Sequence, residues 1–332
     1  MINRYTFTPL VASVLLALGS PAQALVITPN YDTSITGNSN AAQIEGSIQS
    51  AITTFEGLYS NIVNLNVKFT YNPSAPSNLL STTQYYYGTP YSSYVGALVA
   101  NSHAHPENTV LATALANLSY GNDANATHAM ALASSQCFML GLCTPGASTT
   151  PVVNINSLQN FSFKQPTGST QYDLIGGLEH ELDEVLGGGG AGSTLNFQSY
   201  TFFSGKYGSL DLYRYSAPGT PSWTTSGSAS AYLSVDGGKT HIVAFNQNGN
   251  GDYGDFGPPC NKNASGGQNI QNAFNCMGAA EAYTNVSPEF AMLESIGWNP
   301  LISSNNVPEP GILALMLAGL GMLSLMARRR QN

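Results

Sequence analysis

Four consecutive glycines, Gly187 to Gly190, follow the strongest helical pattern in the chain. Residues 172–186 repeat their apolar side chains at helical spacing. A glycine just past the last apolar position stops a helix, because it enters the left-handed conformation at little cost. Any fold for this sequence must deliver a helix to Leu186 and turn the backbone there. That helix carries Glu179-His180-Glu181-Leu182-Asp183-Glu184. His180 and Glu184 stand four apart and leave the same face, with Glu181 about 100° around the axis.

Upstream, residues 25–29 read as a short strand. Residues 41–60 read as a helix whose Ile44, Ile48, Ile52, Phe55 and Leu58 share one face, and residues 62–69 alternate like a half-buried strand. A strand-helix-strand opening begins an α/β layer. Residues 73–90, rich in Ser, Thr, Tyr and Pro, read as loop with Tyr85, Tyr86 and Tyr87 at its rim. Residues 91–101 and 109–118 read as helices and 152–156 as a strand. After the glycines come short strands: 210–215, then 231–235 and 240–245 as a hairpin around Asp236-Gly237-Gly238. Residues 290–296 close the pattern as a helical turn or two. The expected class is α+β, with a β-rich C-terminal part.

The two ends are of a different kind. A short basic start, an apolar run over residues 10–18 and Ala22-Gln23-Ala24 make a secretory signal, residues 1–24, cut after Ala24. At the other end, residues 303–332 hold Val307-Pro308-Glu309-Pro310, an apolar stretch over 311–327 and Arg328-Arg329-Arg330. That stretch of 17 residues meets the lower limit for a membrane-spanning helix, and the arginines would stay cytoplasmic. Without Arg4, the three tail arginines and Glu309, 6 basic and 17 acidic side chains remain, a net charge of −11. Nucleic acid is excluded as a partner, since no excess of Lys or Arg exists to neutralise phosphates. Four cysteines in an exported chain imply two disulfides in one of three connectivities. Nearness in sequence favours Cys137 with Cys143 and Cys260 with Cys276.

Other motifs carry less. The loop from Asn248 to Asp255 is rich in oxygen side chains and could take calcium at Asp252 and Asp255, although no bidentate Glu follows at the expected distance. His103 and His105 read as a polar loop start before Pro106. No Gly-x-Ser-x-Gly elbow supports a serine nucleophile.

The C-terminal tail, with its Pro-Glu-Pro, apolar helix and basic end, resembles the PEP-CTERM sorting signal of Gram-negative bacteria. That resemblance implies recognition and cleavage near Pro308-Glu309-Pro310 by an exosortase-type membrane protease. The protein would be anchored transiently across the inner membrane and end on the outer surface or outside the cell, with exopolysaccharide a further partner to consider.

His180-Glu181-x-x-Glu184-x-x-Gly187 resembles the His-Glu-x-x-His zinc hydrolases of metzincin type, with Glu184 in place of the second histidine. A carboxylate is an acceptable zinc ligand. The strings Leu-Asp-Leu-Tyr-Arg-Tyr-Ser-Ala-Pro-Gly at 210–219 and Ser-Val-Asp-Gly-Gly-Lys-Thr at 234–240 extend the likeness to a group of exported bacterial metalloproteases. The resemblance implies a metzincin-like core over residues 25–302. In it His180 and Glu184 would hold zinc, Glu181 would act as general base, and a peptide or protein would be the substrate. The family's third ligand would fall on Gly190, which has no side chain to offer. Asp211 is the expected replacement and His241 the alternative; no clear methionine turn follows, with Met277 and Met292 as candidates for one. The rival expectation is a non-catalytic surface or extracellular-matrix protein, sorted by its tail, whose acidic helix faces water.

Overall fold

The computed structural model describes residues 25–118, 129–144, 146, 149–260, 268–279 and 283–301. The signal segment 1–24 and the sorting tail, with its apolar stretch 311–327, lie outside the described residues. Among those described, no helix is long and apolar enough to cross a membrane.

The N-terminal pattern builds a layered start. β1 (Val26–Tyr31) leads to the single-turn α1 (Thr33–Thr36), whose first turn is capped by Asp32 accepting from the Ser34 amide at 3.0 Å. α2 (Ala41–Leu58) buries Ile44, Ile48, Ala51, Ile52 and Phe55 along one face. β2 (Asn64–Asn72) turns Leu65, Val67 and Phe69 into the core. β1 and β2 pair in parallel, which requires a crossover, and α2 supplies it.

Next come β3 (Leu80–Thr83) and β4 (Tyr86–Pro90), where the sequence reads as loop. The correction has a long-range cause. After α3 (Tyr91–Ala104) and α4 (Thr109–Ala116), β4 finds its antiparallel partner in β5 (Ala129–Ala133), with Tyr86 opposite Ala133. Then α5 (Ser134–Met139) leads toward β6 (Val152–Asn156), which pairs antiparallel with β3, Leu80 opposite Ile155. Polar segments with weak intrinsic preference become strands because distant partners satisfy their backbone. The main sheet has four strands in the order β1-β2-β6-β3, so β3 is an edge.

The short parallel pair β7 (Phe161–Ser162) and β8 (Tyr172–Asp173) precedes the central helix, α6 (Leu174–Leu186). The helix thus begins two residues later than its apolar repeat predicts. Asp173 is the reason: its carboxylate accepts from the amides of Ile175 and Gly176 at 3.1 and 3.3 Å and caps the helix. Gly187 ends it at φ 96°, as the glycine stop requires. All of α6 except Ile175 and His180 is buried. Gly177 permits its approach to the sheet, since a Cβ there would lie 2.7 Å from Leu80 Cδ1 on β3.

The C-terminal part is a second four-stranded sheet, β10-β9-β11-β12, made of β9 (Arg214–Ala217), β10 (Thr220–Pro221), β11 (Tyr232–Leu233) and β12 (Val243–Ala244). The expected hairpin forms, with Leu233 opposite Val243. The expected strand over 210–215 begins only at Arg214, because Leu210–Tyr213 is a 3-10 turn. The class is α+β. Both local disulfides are present, Cys137–Cys143 and Cys260–Cys276, with Cα atoms 5.6 and 5.7 Å apart. α7 (Pro288–Ser295) leads to Trp298, which is fully buried and donates its indole N–H to the Leu186 carbonyl at 2.9 Å. That bond satisfies a carbonyl in the last turn of α6. Trp298→Ala should lower unfolding free energy by about 3–5 kcal/mol, read by chemical denaturation, through the cavity and the freed carbonyl.

Candidate metal centre

The four acids of α6 do not face water. Glu179, Glu181, Asp183 and Glu184 are between 0 and 8% exposed, which overturns the solvated-helix expectation. A carboxylate taken out of water costs several kcal/mol unless a counter-charge or hydrogen bonds replace its hydration. Within the described residues, His180 is the one basic side chain in ion-pair reach of this group.

His180 and Glu184 point the same way, with Nε2 and Oε1 4.0 Å apart. The third member of the cluster is Asp255, whose Oδ2 lies 3.7 Å from His180 Nε2. One donor atom from each of the three falls within 4.8 Å of the others. The expected third ligand, Asp211, is elsewhere and committed. Its carboxylate accepts from Gly208 N, Ser193 Oγ, Thr194 N and Thr194 Oγ1 at 2.7–3.0 Å, closing the 3-10 turn that displaces the expected strand. His241 stacks on Tyr232, ring centroids 4.5 Å apart, and is not part of the cluster.

Gly190 explains how Asp255 comes to stand there. Its amide donates to Asp255 Oδ1 at 2.7 Å, and a Cβ on it would lie 2.6 Å from Glu184 Oε1 and 2.8 Å from the Asp252 side chain. Where the metzincin pattern has a ligand, this chain has a space that carboxylates from another loop fill. The one sequence signal for Asp255 was its place in the acidic loop read as a calcium site. Within that loop the Asn246 amide donates to the carbonyls of Asn248 and Asp252 at 2.9 and 3.0 Å. Asp252 and Asp255 turn toward α6. Of the two methionines, Met277 is 50% exposed and Met292 is buried, its Cε 2.8 Å from where a Gly188 Cβ would sit. His103 lies in the last turn of α3, and His105 pairs with Glu107 at 2.9 Å.

A second layer fixes the cluster. His180 Nδ1 lies 2.8 Å from the Ile270 carbonyl; a carbonyl only accepts, so Nδ1 carries the proton and Nε2 faces the acids. Glu181 Oε2 accepts from Thr82 Oγ1 of β3 at 2.7 Å. Gln84 donates to the Glu184 and Val185 carbonyls at 3.0 Å, completing the end of α6. The cleft here, about 810 Å³, is lined by Leu80, Thr82, His180, Glu181, Glu184 and Asp252.

Burial dominates the electrostatics. It pushes Glu181 up to about 7, against the opposing charge of His180. Asp255 rises to about 7 and Asp252 to about 6, both by burial first, while Glu184 is driven well above the usual carboxylate range by burial and then by Glu181. Behind the helix, burial raises Glu179 to about 8 and Glu289 to about 7. Such a set is uncomfortable when ionised, and a cation relieves it. One imidazole and two carboxylates are the nitrogen and oxygen donors that zinc accepts, so the residues fit the metal that the motif implies.

These shifts set the pH dependence of the metal-free protein. Carboxyls with raised folded-state values keep protons that the unfolded chain has already lost, so stability falls as pH rises from about 4.5 toward about 8. Metal-free protein should therefore have a higher unfolding free energy at pH 5 than at pH 8, by on the order of a few kcal/mol, and melt at higher temperature at pH 5. A flat profile over that window would show that these acids titrate normally.

The PEP-CTERM protein-sorting motif matches residues 306–330. No curated protein and no solved structure matches the chain. The tail identifies an exported protein that carries a C-terminal signal for exosortase-type sorting.

Proposed function

We propose that the exported domain is a zinc-dependent endopeptidase-like hydrolase with a metzincin-like core, in which His180, Glu184 and Asp255 hold the metal and Glu181 is the general base. The observation that carries this reading is the convergence of those three donors in a buried, acid-rich cleft, with His180 its one basic neighbour among the described residues. Bound zinc would supply Lewis acidity toward a carbonyl and toward water.

The chain's own residues do the rest. Thr82 holds Glu181 on the cleft wall beside His180 and Glu184. With its proton affinity raised to about 7, Glu181 is suited both to accept a proton near neutral pH and to return it to a leaving amine. The Ile270 carbonyl sets the His180 tautomer so that Nε2 carries the lone pair a ligand needs. Two carboxylate ligands carry more negative charge than two imidazoles, which favours slow turnover. The edge strand β3 lines the cleft through Leu80, Ser81 and Thr82, and an edge strand offers unpaired backbone to an extended chain, which supports a peptide substrate.

In this reading the tail holds the domain at the inner membrane until cleavage near Pro308-Glu309-Pro310 releases it toward the outer surface. Purified protein should contain near one zinc per chain by elemental analysis, and His180→Ala, Glu184→Ala and Asp255→Ala should each lose it, whereas His241→Ala should not. Glu181→Gln should keep the metal and lower peptidase kcat by about 100-fold or more. A wild-type protein without stoichiometric metal would overturn the hydrolase reading. Replacing Pro308, Glu309 and Pro310 together by alanine should leave the full-length precursor in the membrane fraction on immunoblots, with the shorter processed form missing.

A further inference from the structure

The segment that orients His180 also sets a side chain against it. Gln271 is fully buried, and its Nε2 lies 3.2 Å from His180 Nε2 and 2.9 Å from Asp255 Oδ1. Because His180 Nδ1 carries the proton, Nε2 has one lone pair in the neutral ring, and the Gln271 amide donates to it. The same lone pair is what a metal would take. Hydrogen bonding by Gln271 and coordination by His180 are mutually exclusive.

The amide orientation follows from its neighbours. With nitrogen and oxygen exchanged, the carbonyl oxygen would face two acceptors, so the amide N–H groups must point at the cluster when no cation is present. Gln271 Oε1 is buried without a hydrogen-bond partner among the described residues, so none of them holds the amide from its other side. The seat is built for this side chain. A Cβ at Gly189, where φ is 47°, would overlap the Gln271 amide, and the Gln271 backbone N–H is held by Glu289 Oε1 at 3.1 Å. The third glycine after α6 therefore leaves room for the amide, and α7 fixes the segment that carries it.

We propose that Gln271 is the metal's competitor: its amide satisfies His180 and Asp255 in the metal-free protein, must leave His180 when a cation binds, and so sets the affinity of the site. The inference rests on the metal reading above and adds a residue that tunes it. Gln271 stabilises the metal-free state in place of the cation, and removing the amide should weaken that state while freeing the ligands.

The test is zinc affinity of the purified full chain, by competition with a chromophoric chelator, together with melting of the metal-free form. Gln271→Ala and Gln271→Met should both bind zinc about tenfold tighter, the change expected when about 1.4 kcal/mol of competing hydrogen bonding is lost. Both metal-free variants should melt below wild type. The methionine variant keeps the volume, so agreement between the two assigns the effect to the amide and not to space. Weaker binding in both variants would overturn the inference and make the amide oxygen a ligand. Wild-type affinity in both would overturn it and leave Gln271 a filler. Absence of zinc from wild type and variants alike would fail the metal reading itself, and this inference with it.

Discussion

Buried negative charge is the constraint around which this domain is organised. One helix takes four carboxylates out of water, and two further segments bring Asp255 and Glu289 toward it, with His180 as the basic residue in ion-pair reach among those described. Isolated acids in such surroundings hold their protons well past the usual range, and burial drives Glu179, Glu181, Asp255 and Glu289 to about 7 or 8. A fold that only needed stability would place leucine at these positions, because well-packed apolar groups match or exceed buried charges. On the proposed metal reading, the acids are retained there because a cation would complete the set.

The architecture serves that cluster from several directions. β3 is pressed on α6 through Gly177 and supplies Thr82 to Glu181. The glycine turn after Leu186 brings the Gly190 amide to Asp255 and clears space for Gln271 beneath Gly189. Trp298, after α7, ties the Leu186 carbonyl and anchors the end of the helix. Each of these contacts joins residues far apart in the chain, so the site is a product of the whole domain and not of its motif. Removing one support is expected to shift the donor atoms by fractions of an ångström, a scale at which the proposed metal site would respond.

Some of this was legible beforehand. The helix stop at Gly187, the β2 alternation, the β6 strand and the Leu233–Val243 hairpin pairing are local patterns, and local patterns read well from residue order. The strands over 80–83 and 86–90 were not legible, because their identity lies in the partners 152–156 and 129–133 and not in their own Ser, Thr and Tyr. Asp211 lies in a turn outside the cluster for a related reason. A strand places alternate side chains on one face, but a buried acid that accepts four hydrogen bonds bends its segment into a turn instead.

The sequence by itself determined the address of the protein and the first half of its site. A secretory start, a Pro-Glu-Pro tail matched over residues 306–330, and two potential ligands four apart on a helix are all carried by consecutive residues. Tertiary structure decided the rest: that the acids are buried, that Asp255 stands where Asp211 was expected, and that Gln271 contests the histidine. Burial and convergence depend on which distant segments pack together, and residue order does not state that until the chain has folded.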